Sequence, residues 1–142
     1  MASSTTSSLV ILLAGCGEPV KAVPDAMVDA APASLHDCRT FVRSSDNIVR
    51  FPGPAYSPSC LEITVGDTVR WTGNFEEHPL SPGRAPSRPE DPMGSPNNPI
   101  VYTDSGNLAT VVFPSAGDYP YYCTSHDYLG MFGVVRVSPA RR

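Results

Sequence analysis

Charge is scarce in this sequence. Charged residues make up 17% of the 142, and 10 Lys and Arg against 14 Asp and Glu leave a net charge of -4. A nucleic-acid binder needs a basic face to displace phosphate counterions, and this balance excludes one. Long apolar runs are missing as well: no stretch reaches the roughly 18 residues of a membrane-spanning helix. There is no P-loop, no glycine fingerprint for dinucleotides, no HExxH and no GxSxG. Turn formers, by contrast, are plentiful. With 16 Pro and 11 Gly, the chain has too many breakers for a long-helix or coiled-coil protein. Its length suits a single domain. A small, turn-rich β domain remains, in which four Cys, three His and four Met are the informative residues.

The N-terminus reads as an address and a spacer. Leu9 to Ala14 (LVILLA) form a short apolar run followed by Gly15 and Cys16. Such a run is too brief to span a bilayer but fits the core of a signal peptide. Met1 to Ser8 carry no Lys or Arg, the charge such a leader normally has. The tetrad Leu13-Ala14-Gly15-Cys16 resembles a bacterial lipobox. That resemblance implies a signal peptide over residues 1–15, lipidation at Cys16, and an exported protein of the periplasm or cell envelope held to a membrane by lipid alone. The alternative is an apolar N-terminus with a free Cys. Residues 16–36 are rich in Ala, Pro, Asp and Val and contain no aromatic. They cannot bury enough surface to offset their ordering entropy and read as a flexible tether before a domain over residues 37–138. Met27 and His36 are expected to be exposed spacer residues.

An exported chain permits disulfides. With Cys16 lipidated, Cys38, Cys60 and Cys123 remain. Cys38 and Cys60 flank the first strand-like runs, and pairing them closes a loop of 22 residues, worth roughly 3 kcal/mol in the chain-entropy model. Cys123 is then left over, and a leftover Cys in an exported protein is reactive, intermolecular or metal-bound.

Strand patterns recur through the domain. Leu61-Glu62-Ile63-Thr64-Val65 alternates apolar and polar, Gly66-Asp67 interrupts, and Val69-Arg70-Trp71 resumes. Phe41-Val42, Ile48 to Phe51, Leu108 to Phe113, Tyr119 to Cys123 and Gly133 to Val137 are β-branched or aromatic runs bounded by turn residues. Six to eight short strands predict an all-β antiparallel sandwich. Residues 81–99 hold six Pro and two Gly and read as a long excursion rather than a core element. Met93 within it is not expected to be a ligand. Trp71 belongs to the core, and Glu76 and Glu77 to solvent.

The segment from Cys123 to Met131 contains C-x2-H-x4-M, presented by a loop after a strand. Thiolate, imidazole and thioether form a soft donor set that suits copper better than Mg, Ca or Mn. A trigonal site of two His and one Cys needs a second imidazole, and His78 lies just beyond the strand ending at Trp71. The competing readings are His78 as a loop cap, Met131 as core packing and Cys123 as an inert buried thiol.

Together, ITVGDTVRW, the later His78, GDYPYYC, C-x2-H-x4-M and the closing GVVRV resemble the cupredoxins, blue-copper proteins of the plastocyanin/pseudoazurin type. The resemblance spans about residues 38–138. It implies a Greek-key sandwich holding one copper ion that cycles between Cu(II) and Cu(I). His78, Cys123 and His126 would be equatorial ligands and Met131 a long axial one. Tyr119 would tie a corner of the sandwich. In many cupredoxins the residue after the first His gives its N–H to the Cys sulfur; here that residue is Pro79, which has none, leaving the amide of Ser125.

Four protein donors leave no open position for substrate, whereas a catalytic metal normally keeps one. The chain also has no H-x-H pair, which multicopper oxidases use. The expectation is therefore an electron carrier and not an enzyme, a monomer meeting redox partners transiently through an apolar patch near His126. Two rivals stay open: a copper-storage or copper-delivery protein, and a non-redox β-sandwich binding module.

Overall fold

The computed structural model describes residues 34–142. The lipobox-like tetrad, Cys16, Met27 and the signal segment lie outside the described residues. Eight strands occur among the described residues: β1 (Ile48–Gly53), β2 (Ala55–Ser57), β3 (Cys60–Thr64), β4 (Thr68–Gly73), β5 (Leu80–Pro82), β6 (Leu108–Val112), β7 (Gly117–Cys123) and β8 (Phe132–Ser138). They form two four-stranded sheets, ordered β2-β1-β4-β6 and β3-β8-β7-β5.

The alternation read from the sequence is the burial pattern of the strands. Leu61 and Ile63 of β3, and Val69 and Trp71 of β4, point inward. Between β3 and β4, Gly66 takes φ +91°, a conformation that costs glycine little. Asp67 secures the turn, its Oδ2 accepting from Thr64 N–H at 2.9 Å. β7 and β8 are instead buried almost throughout, because they lie in the middle of their sheet and the segment around Leu35 covers the outer face. There Leu35 and Cys38 pack with Val134.

All-β architecture and strand number are as expected, with one added feature. Each sheet contains a parallel pair, β1 with β4 and β3 with β8. The chain leaves β1, turns through β2, crosses to the second sheet as β3 and crosses back as β4. The chain reverses between β1 and β2 and again between β3 and β4, so β4 runs parallel to β1. β2 and β5 are too short to produce a readable period, and Phe41-Val42 contributes only an isolated bridge from Val42 to Leu61.

Between the sheets lies one core built on aromatic rings. Trp71 meets Tyr121 edge-on with ring centroids 5.3 Å apart, and Phe51 and Tyr56 meet at 5.5 Å. Tyr119 OH donates to Ser115 O at 2.9 Å, tying the start of β7 back on itself.

Cys38 and Cys60 form a disulfide. His36 is not an exposed spacer residue: only 2% of it is accessible. Its Nδ1 lies 2.9 Å from Gly133 O, and its Nε2 accepts from Ala85 N–H at 2.8 Å. Composition made residues 16–36 look like uniform tether. The disulfide two residues on, and a 3-10 turn over Leu35–Asp37, pull Leu35 and His36 into the domain.

Candidate metal centre

Three elements deliver side chains to one pole. After β4, Phe75 is fully buried and anchors a turn. His78 N–H closes that turn onto Asn74 O at 3.0 Å, and Asn74 Oδ1 caps Glu76 N–H. β5 follows, and its register sets Leu80 opposite Cys123. His78, two residues before Leu80, is thereby carried to the end of β7, where Cys123 sits.

The loop after Cys123 is closed at its base and in its middle. Cys123 N–H donates to Met131 O at 2.9 Å, and Met131 N–H donates to His126 O at 3.2 Å. A 3-10 turn over Asp127–Leu129 ends at Gly130, whose φ of +88° turns the chain back toward Met131. The loop is also stitched to the His78 turn, with Thr124 N–H donating to Pro79 O at 3.1 Å. Pro79 thus contributes its carbonyl where it has no N–H to give.

The donor atoms face one another. His78 Nδ1 and His126 Nδ1 are 3.0 Å apart, and Cys123 Sγ lies 3.9 Å from the first and 3.6 Å from the second. Metal–imidazole bonds of about 2.0–2.1 Å and metal–thiolate bonds of about 2.3 Å in a trigonal plane put donors about 3.5–3.8 Å apart. The two sulfur–nitrogen edges are close to that size and the nitrogen–nitrogen edge is about 0.5 Å shorter; the two-nitrogen, one-sulfur composition suits copper. Met131 is fully buried in the same apolar cluster as Cys123.

The surroundings prepare these groups for a metal. Burial pushes the Cys123 thiol above its ordinary value, opposed by the amides of Ser125 and His126, which face the sulfur. The thiol therefore keeps its proton until a metal displaces it. Burial, and then the neighbouring His126, hold His78 below its ordinary value, so its imidazole is neutral and its lone pair free near pH 7. Cys123 and His78 are buried, whereas His126 is half-buried with Tyr128 and Leu129 exposed beside it.

Of the residues singled out in the sequence, His78, Cys123 and His126 converge. Met93 is exposed, Glu76 and Glu77 face solvent, and Trp71 is in the core. Sequence reasoning missed the contact that holds the loop from outside, between Ser87 and the loop's own Asp127. Ser87 had no local signal. His36 had one, its place two residues from a half-cystine.

Residues 53–138, more than half of the chain, match the model of the copper-binding proteins of the plastocyanin/azurin family. Plastocyanin from Prochlorothrix hollandica is 29% identical over 131 residues, covering 92% of this chain and 88% of that protein. Plastocyanin from Nostoc punctiforme is 33% identical over 89 residues, covering 58% of this chain and 64% of its own length. Among solved structures, the Cu-containing nitrite reductase of Thermus scotoductus is 22% identical with a TM-score of 0.50. It matches over 71% of this chain and 28% of the reductase, a likeness of fold alone.

Proposed function

Because the chain belongs to the plastocyanin/azurin family of copper-binding proteins, we propose that it is a type 1 copper protein that carries single electrons between redox partners. The observation that carries this reading is the triangle of His78 Nδ1, His126 Nδ1 and Cys123 Sγ with sides of 3.0–3.9 Å. These three side chains would hold the copper, and Met131, buried in the same cluster as Cys123, would be a further, weaker donor. Copper bound by such donors supplies one-electron cycling between Cu(II) and Cu(I).

The protein's residues do the rest. Cys123 gives up its proton and binds as the thiolate, with the Ser125 and His126 amides turned toward its sulfur. Buried His78 and the core around it exclude water from one side. Half-buried His126 presents a ring edge toward solvent among Tyr128 and Leu129, and the electron passes there during brief apolar contact with a partner. Four protein ligands leave no position for a substrate, which supports a carrier rather than an enzyme, although the fold also occurs within a copper reductase. The carrier acts as a monomer. It is exported, with residues 1–15 removed, Cys16 lipidated and the residues before Leu35 tethering the domain to the membrane.

The test is the visible spectrum of the purified chain after Cu(II) is added. An intense thiolate-to-copper band that disappears in Cys123→Ser is expected. A colourless adduct would return the protein to copper delivery or to a binding module.

A further inference from the structure

The loop bearing His126 has few ties beyond itself. His126 N–H donates to Cys123 O, Leu129 N–H to His126 O and Gly130 N–H to Asp127 O, all bonds within the loop. At its start, Thr124 is bonded to Pro79. Apart from the facing rings of His78 and His126, its middle meets one outside residue by hydrogen bond among the described residues, and that residue is Ser87. Ser87 N–H donates to Asp127 Oδ2 at 2.9 Å, and Ser87 Oγ donates to Asp127 O at 3.0 Å. Asp127 directly follows His126.

Ser87 is itself exposed, but the segment it belongs to is bolted down on both sides. Two residues earlier, buried Ala85 donates its N–H to His36 Nε2 at 2.8 Å. Next to Ser87, Arg88 pairs with Asp37 and Asp91 and lies over the Phe132 ring at 5.5 Å. Asp91 in turn accepts from His36 N–H at 2.6 Å, and its carbonyl accepts from Arg84 at 2.8 Å. The tip at Ser87 therefore hangs from a buried polar knot fixed to β8 through Gly133.

We propose that Ser87, acting through Asp127, is a positioning residue for His126, and that residues 84–91 form a strap across the metal loop. This rests on the reading of His126 as a copper ligand. A ligand on a loop keeps its geometry only as well as its supporting contacts do. A strap from a rigid neighbour supplies what the loop's own local bonds cannot. It holds the imidazole of His126 in one place in both oxidation states.

Three variants of the copper-loaded full chain separate this from charge or bulk effects. Asp127→Asn and Asp127→Ala lose the same charge, but only Asn keeps a side-chain oxygen to accept from Ser87 N–H. Ser87→Ala removes the hydroxyl alone, at an exposed position where folding is not at risk. In Asp127→Ala, amide exchange at Leu129, Gly130 and Met131 is expected to rise about five-fold or more, while Asp127→Asn stays within two-fold of wild type. The midpoint potential of Asp127→Ala should lie above that of Asp127→Asn. A loosened ligand is lost more readily from the reduced ion, and a five-fold preference corresponds to about 40 mV. Ser87→Ala should move exchange in the same direction by a smaller factor. Equal exchange and equal potentials across the variants, in a wild type that is blue, would overturn the strap. A wild type that takes no copper colour would instead overturn the reading of the site. Amide exchange in the metal-free chain would then still decide whether Ser87 restrains the loop.

Discussion

At the scale of single residues, the metal pole is tuned by what Pro79 withholds. Cys123 sulfur is faced by the amides of Ser125 and His126, and Pro79 adds none. A hydrogen bond to the thiolate draws charge from sulfur and favours the reduced metal. Restoring an N–H with Pro79→Asn should raise the midpoint potential by roughly 40 mV, taking about 1 kcal/mol for the bond and 59 mV per ten-fold. A redox titration giving an unchanged or lower value would count against this. Gly133 matters for a different reason. A Cβ there would lie 2.3 Å from Ser59 O and 2.5 Å from the Tyr121 hydroxyl, in the middle of a sheet that cannot give way. Gly133→Ala should therefore cost about 1–3 kcal/mol of stability, read as a lower denaturation midpoint. The same strand position offers the carbonyl that His36 Nδ1 meets, so this variant should also loosen the N-terminal turn.

At the scale of elements, that turn and the disulfide behind it act as one clamp on β8. Burial holds His36 below its ordinary value of 6.5 despite the Gly133 carbonyl and Asp91, which pull the other way. The unfolded chain takes up a proton near that ordinary value, and the folded one does so only at lower pH. The contribution of neutral His36 is thus complete above about pH 6.5 and is lost as pH falls from there toward the folded value. Metal-free His36→Gln should show a shallower fall in melting temperature from pH 7 to pH 5 than wild type. His78, also depressed, acts equally in both proteins. Parallel slopes would mean that His36 does not titrate against folding. Reducing Cys38–Cys60 should cost about 3 kcal/mol, seen as an earlier thermal transition. β1, β3, β4, β6, β7 and β8 were legible in the sequence because each is long enough to show a period or an apolar run. β2 and β5 were not, since three residues hold no period. The C-x2-H-x4-M spacing was legible because its members sit on one loop. His36 with Ala85, and Ser87 with Asp127, meet across separations of 40 residues or more, and composition carries no trace of such a meeting. The proline-rich excursion likewise revealed itself as irregular, but not as a support.

At the scale of the whole molecule, charge and topology dominate. A net charge of -4 makes two copies repel, so electron self-exchange between them should speed up as salt rises toward physiological strength. NMR line broadening in mixtures of oxidised and reduced protein would measure it, and a rate that fell with salt would point to local attraction at the docking face. Topology sets another limit. β8 lies inside its sheet, parallel to β3 and antiparallel to β7, although it comes last among the described strands. A ribosome that has made everything up to Met131 has produced β3 and β7 with an empty lane between them. The sheet β3-β8-β7-β5 cannot close before residues 132–138 arrive, although β2-β1-β4-β6 needs none of them. Until then the growing polypeptide remains threadable, and a premature stop just ahead of Phe132 would release material for proteases rather than a smaller folded domain.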